Sequence, residues 1–200
     1  MRPIGGFILS GGQSRRMGRD KCELTLGDRT FVELISEQMV GVTSSIKVVG
    51  GLVADSQLSH VADIHPHWGA LGGVHAALAN CSSDWALVVA CDFPLVTTEL
   101  FTQMADVTAG FDAVAPVQHD GVPQPLCTLY RVEPCLAQAE QLIKSGERKP
   151  IALLQSVRTR WIAFDELRHL EGSGSFFDNI NTPEDYARIT KQIEPTEAAT

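Results

Sequence analysis

The sequence predicts an α/β fold with a mostly parallel sheet. Two nearly all-apolar segments, residues 3–10 and 85–90, read as buried strands. Between and after them lie amphipathic stretches with helix-capping grammar, so strands alternate with helices. A glycine-rich turn directly follows the first apolar run.

The elements follow in order. Ile4, Phe7, Ile8 and Leu9, flanked by glycines, make the first strand, and residues 11–27 begin too polar and glycine-broken for a regular element. Thr30 and Glu33 form a capping-box pair. The helix after them is expected to bury Phe31, Leu34, Ile35 and Met39 and to end near Gly41. Residues 46–49 read as a strand, 71–80 as a short helix and 113–117 as a strand, with 126–130 pairing near it. Residues 133–145 are amphipathic and stop at Gly146. Residues 150–155 read as a further short helix and 161–164 as a late strand. Thr182, Pro183, Glu184 and Asp185 open a last helix running to about Ile193. No repeat, low-complexity tract or linker divides the chain, so one domain is expected over residues 1–193, followed by a polar tail over 194–200.

Composition narrows the function. With 44% hydrophobic and 20% charged residues the chain is an ordinary globular mixture, and no run approaches the roughly 20 apolar residues of a membrane span. Residues 1–9 are too short and glycine-interrupted for a signal peptide. The five cysteines (22, 81, 91, 127, 135) form no CxxC pair or zinc spacing. A cytoplasmic location is expected. The net charge of −8 argues against nucleic-acid and membrane-surface partners. The charge is uneven, however. Residues 11–21 carry +3 through Arg15, Arg16, Arg19 and Lys21 against Asp20, and the remaining 189 residues carry −11. A cationic glycine-rich loop in an acidic chain suggests an anion site.

Three motifs carry chemistry. The loop after the first strand lies at the carboxyl end of the sheet, where open α/β folds bind ligands. Gly11 and Gly12 permit close backbone approach to phosphate, and Arg16 and Lys21 can neutralise its oxygens. The sequence there fits neither GxxxxGK[ST] nor GxGxxG, and a surface turn with solvated arginines is the plain alternative. Asp92, in Cys91-Asp92-Phe93-Pro94, projects over the same edge. Beside a triphosphate it suits Mg²⁺, and otherwise it is a strand-ending turn residue before proline. Asn179 and Asn181 alternate on one side of an extended segment, to bond ligand or metal-bound water, or to close an Asx turn.

Gly11-Gly12-x-Ser14-x-Arg16-Met17-Gly18-x-Asp20-Lys21 resembles the L-A-G-G-x-S-x-R-M-G-x-D-K signature of the MobA-like nucleotidyltransferases, and most closely the molybdenum cofactor guanylyltransferases among them. The resemblance also covers Asp63, the segment 69–73, the segment 91–94, Pro125-Leu126 and the segment 179–185. It implies a Rossmann-like three-layer α/β/α sandwich of the nucleotide-diphospho-sugar transferase type. It also implies transfer of GMP from Mg·GTP to the terminal phosphate of molybdopterin, with pyrophosphate released. By resemblance, Leu9, Ser10, Gly11 and Gly12 hold GTP through backbone contacts, Lys21 holds its phosphates, Asp63 contacts nucleotide and Asp92 holds Mg²⁺. Lys21, Arg16 and Asp92 carry the chemistry. Gly69 and Gly73 belong to the pterin side, with Asn179 and Asn181 at the reaction centre. Molybdoenzymes or cofactor-delivery proteins are the implied protein partners.

Three departures stand out: Ser10 for the usual Ala, Ala70 where relatives often carry proline in G-P-L-x-G, and Gly50-Gly51 where a nucleotide-contacting Asn often follows the second strand. The alternatives are a related enzyme using CTP or another phosphate acceptor, and a non-catalytic adaptor delivering nucleotide or cofactor. His65, His67 and His75 invite a zinc reading, but Pro66 makes a local chelate awkward, and a loop beside the pterin side fits better. Trp85 and Trp161 read as packing residues; Trp68, in its glycine-rich loop, is the tryptophan placed to stack on a ring.

Overall fold

The computed structural model describes residues 3–10, 24–51, 58–178, 180, 184–187 and 189. Strand β1 (Ile4–Leu9) is buried along its whole length, as its glycine-flanked apolar run predicts. A small hairpin of β2 (Thr25–Leu26) and β3 (Arg29–Thr30) turns at Gly27, whose φ of +59° favours glycine. Thr30 then caps α1 (Phe31–Val40), its Oγ1 accepting from the Glu33 N–H while the Glu33 carboxylate accepts from the Thr30 N–H.

The helix buries Val32 with Phe31, Ile35 and Met39, whereas Leu34, expected in the core, is half-buried. The reason is geometric. Leu34 faces a satellite cluster of Leu26, Phe31, Ile180 and Ile189, while Val32, Ile35 and Met39 face the sheet.

The chain continues through β4 (Ser45–Val49), β5 (Ser59–Val61), α2 (Ala70–Ala79) and β6 (Trp85–Ala90). Then come α3 (Thr98–Asp106), β7 (Ala113–Pro116), β8 (Cys127–Arg131) and α4 (Val132–Lys144). Last are α5 (Pro150–Ser156), β9 (Thr159–Ile162) and α6 (Phe164–Leu167). Residues 184–187 are helical, within the last helix that the sequence predicts.

Sheet order is β5-β4-β1-β6-β8-β7-β9. Every neighbouring pair is parallel except the two made by β8, which runs against both β6 and β7. Alternation along the strands sends Ile8, Leu87 and Val89 to one face, under α1 and α3. Phe7, Leu9, Ala86 and Val88 point to the other face, under α2, α4 and α5. The three-layer α/β sandwich is therefore the observed architecture.

Two element predictions need correction. The late strand is Thr159–Ile162, not 161–164, because its register on β7 pairs Ala113 with Thr159 and Pro116 with Ile162. Phe164 instead opens α6, where the Glu166 carboxylate accepts the Ala163 N–H. Leu126 precedes the strand assigned to it; its carbonyl accepts from the Ala90 N–H beside the start of β8. Helix α3 was not anticipated, although Thr97 caps it and Leu100, Phe101 and Met104 line its buried face.

Candidate active site at the carboxyl edge of the sheet

Strands β1, β4, β5 and β6 share one direction, so their carboxyl ends form a single edge. Leu9 and Ser10 end β1, Asp92 lies two residues beyond β6 and Asp63 two residues beyond β5. Backbone bonds hold these ends together. Cys91 donates to the Leu9 carbonyl (3.1 Å), Ser10 to the Val49 carbonyl (2.9 Å) and Gly50 to the Val61 carbonyl (3.0 Å). The edge is thus laced across four strands at the level of the predicted ligand contacts.

The chain returns to this edge near its carboxyl end. Phe177 packs edge-on against Phe93, with ring centroids 5.9 Å apart, and the Ile180 N–H donates to the Asp92 carbonyl at 3.4 Å. Ile180 is wholly buried. Ile180, between the two asparagines of the third motif in sequence, therefore lies directly beside Asp92. Asn179 and Asn181 themselves lie outside the described residues, as do Gly11, Gly12, Arg16 and Lys21.

Over the edge sits the start of α2. Gly69 is its N-cap, with φ +75°, and Gly73 lies against the Leu9 side chain, with 3.5 Å between an added Cβ and the nearest methyl. The tight glycine is Gly72, where a Cβ would meet the Trp68 Cβ at 2.9 Å and the His65 carbonyl at 3.3 Å. Trp68 stacks beneath the Arg148 guanidinium, 4.8 Å from ring centroid to guanidinium carbon. The turn carrying Arg148 and Lys149 thereby stands beside Gly69, and the Leu71 N–H donates to the Arg148 carbonyl at 3.4 Å.

These two bases escape a reading of the sequence that looks only at the first loop. Their signal is a second basic pair, in Gly146-Glu147-Arg148-Lys149-Pro150, set between two helices. The Glu147 carboxylate accepts the N–H groups of Arg148 (2.8 Å) and Lys149 (2.9 Å), which hold its pKa below the ordinary carboxylate value.

His65 and His75 lie close, with ring centroids 4.8 Å apart. His75 is buried on α2, and its Nδ1 has no hydrogen-bond partner. Burial pushes its pKa down, His65 adds to this, and Glu140 opposes both. No group of three or more His, Cys, Asp or Glu side chains able to hold a metal occurs among the described residues.

Nucleophilic cysteine chemistry gains nothing from the described thiols with resolved shifts. Burial raises the pKa values of Cys81, Cys127 and Cys135, the last to about 12.

The comparisons with known proteins decide the family. Residues 6–160 match the MobA-like NTP transferase domain. This chain belongs to that family. A probable molybdenum cofactor guanylyltransferase of Pelotomaculum thermopropionicum is 32% identical over 192 residues, covering 94% of this chain and 93% of the relative. One from Methanothermobacter thermautotrophicus is 34% identical over 191 residues, covering 89% and 94%. The crystal structure of molybdopterin-guanine dinucleotide biosynthesis protein A from Archaeoglobus fulgidus superposes with a TM-score of 0.80 at 26% identity, over 94% of this chain and 97% of that one. A member of the MobA-like NTP transferases is a nucleotidyltransferase.

Proposed function

We propose that this nucleotidyltransferase moves GMP from GTP to the terminal phosphate of molybdopterin, giving the guanine dinucleotide cofactor and pyrophosphate. The observation that carries the reading is the meeting of three motifs at one sheet edge. Cys91 bonds to Leu9, and Ile180 bonds to Asp92, so the nucleotide loop's anchor, the acidic turn and the 178–180 segment are neighbours. The names of the relatives, molybdenum cofactor guanylyltransferases, support guanine as the base and the molybdenum cofactor as the acceptor.

The chemistry needs little from side chains. An oxygen of the acceptor phosphate, already anionic at neutral pH, attacks the α-phosphorus of GTP. A new P–O bond forms there, the bond to the bridging oxygen of the β-phosphate breaks, and pyrophosphate leaves with that electron pair. No proton has to move at the reacting atoms, so catalysis reduces to alignment and charge neutralisation.

Leu9, Ser10, Gly11 and Gly12 would present backbone groups to the nucleotide, and Arg16 and Lys21 would neutralise phosphate oxygens. Asp63 would contact the nucleotide. Gly69, Gly73, Arg148 and Lys149 would line the acceptor side, and Asn179 and Asn181 the reaction centre between.

Asp92 suits Mg²⁺. It is a hard oxygen donor at this edge, of the kind that holds the ion together with substrate phosphates. When bound, the ion would neutralise phosphate charge. The reaction belongs in the cytoplasm, and delivery proteins or molybdoenzymes would receive the product.

The test is incubation with GTP, Mg²⁺ and molybdenum-loaded molybdopterin, with chromatographic detection of the guanine dinucleotide. Parallel reactions contain CTP, ATP and UTP. Product from GTP alone, lost in Lys21→Ala, supports the reading. Equal turnover with CTP, or full turnover in Lys21→Ala, overturns it.

A further inference from the structure

Trp68 fastens two separate segments to one another. Its indole Nε1–H donates to the Glu147 carbonyl (2.9 Å), and its backbone N–H donates to the His65 carbonyl (3.1 Å). The Arg148 guanidinium covers the indole at 4.8 Å, and Arg148 Nη1 reaches the His67 carbonyl at 3.4 Å. The loop before α2 and the turn before α5 are therefore one unit, joined across about 80 residues of sequence.

The local backbone is bent to seat the indole. His67 has φ +63°, an uncommon value for a residue with a side chain, and Gly72 leaves no room for a Cβ against Trp68. Strain and a forced glycine on either side of one residue mark a conformation held by its surroundings.

Ala70 occupies the first position of α2, where proline would fix φ without costing an intrahelical bond. We propose that Trp68 is a positioning residue: its clamp on Glu147 and Arg148 fixes the acceptor-side loop against the basic turn. This inference rests on the assignment of Gly69 and Gly73 to the acceptor side.

The experiment uses Trp68→Ala, Trp68→Phe and Trp68→Ala/Ala70→Pro. Acceptor and GTP are titrated separately, and amide hydrogen exchange is followed over residues 65–73 and 146–150. Trp68→Ala is expected to lower kcat/KM for the acceptor about 10-fold, with KM for GTP changed less than about 2-fold. Exchange should accelerate in both segments together. Ala70→Pro should restore most of the acceptor loss, because proline supplies locally what the clamp supplied at a distance. Trp68→Phe, which keeps the ring and loses the N–H, should fall between, and it decides the matter alone if Trp68→Ala does not fold.

Unchanged acceptor kinetics, equal losses toward both substrates, or no recovery from Ala70→Pro overturns the proposal. If the unaltered protein forms no dinucleotide, the functional reading is what fails. The clamp is then decided by exchange: coupled loosening of the two segments supports it, and loosening of one alone overturns it.

Discussion

The Ser10 hydroxyl lies 2.9 Å from the Gly51 carbonyl and 3.0 Å from the Val49 carbonyl, so its one proton is shared between two acceptors at the end of β4. Ser10 stands in place of the Ala in the signature that this loop resembles, and Gly50-Gly51 closes the end of β4. Here the link across β1 and β4 runs from serine to backbone.

Removing that hydroxyl should loosen the edge without altering its shape. Ser10→Ala keeps the backbone bond from Ser10 to Val49 and leaves the Gly51 carbonyl without this donor. We expect a loss of about 1 kcal/mol in urea unfolding, the usual net worth of such a bond, and faster amide exchange at residues 50 and 51. Unchanged stability would mean that water serves the Gly51 carbonyl equally well.

Asp92 should be separable into a scaffold role and a chemical one. Its backbone carbonyl, not its carboxylate, receives the Ile180 N–H. Asp92→Asn keeps that carbonyl and the size of the side chain, and is expected to keep the fold and to lose GMP transfer by at least roughly 100-fold. Circular dichroism melting and product formation measure the two parts. Near-normal turnover in a folded variant would remove Asp92 from the chemistry.

His75 makes stability fall toward acid pH. Burial holds its pKa below the ordinary value of 6.5, so between the two values the unfolded chain binds the proton and the native chain does not. The native state should weaken as pH drops through the unfolded pKa and level off below the folded one. In His75→Leu this contribution disappears, and the gap between urea midpoints at about pH 7.5 and 5.5 should narrow. An unchanged gap assigns the acid sensitivity to other groups.

Asp112 has the opposite origin and a lower window. It lies at the far edge of the sheet, where Arg158 Nε and Nη2 contact its two oxygens at 2.9 and 3.1 Å and pull its pKa below 3.8. A lowered carboxylate pKa stabilises the native state above the unfolded value and loses that stability as pH falls through the folded one. Asp112→Asn should cost about 1 kcal/mol at neutral pH, modest because Arg158 is exposed, and the cost should vanish in strong acid. Denaturant titrations at several pH values would show the convergence or its absence.

Much of this molecule was legible in the residues. The uninterrupted apolar run at 85–90 gives β6 to the residue, and the Thr30–Glu33 pair gives the start of α1. The acidic turn at Asp92 and the segment around Ile180 were each recognisable as motifs, and the fold makes them neighbours. What escaped depends on long-range contact. Strand β5 has three residues and, among the described residues, pairs only with β4, too short to show a pattern of its own. Burial of Val32 in preference to Leu34 is set by two clusters on different sides of α1. The partner of Trp68 lies in a turn about 80 residues away, which no local pattern announces.

The single reversed strand has an architectural consequence. Because β8 opposes its neighbours, the connection from β7 into β8, residues 117–126, turns over the same edge as Ser10 and Asp92. Its stem is pinned by the Val117–Pro123 bridge, the Gln124 N–H to the Pro116 carbonyl and the Ala90 N–H to the Leu126 carbonyl. Its tip, from His119 to Val122, is exposed. A hairpin built this way can be lengthened, shortened or exchanged at the tip while the strands beneath keep their register. It gives a lineage, or an engineer, a place to rewrite what this face of the enzyme meets while the machinery below stays as it is.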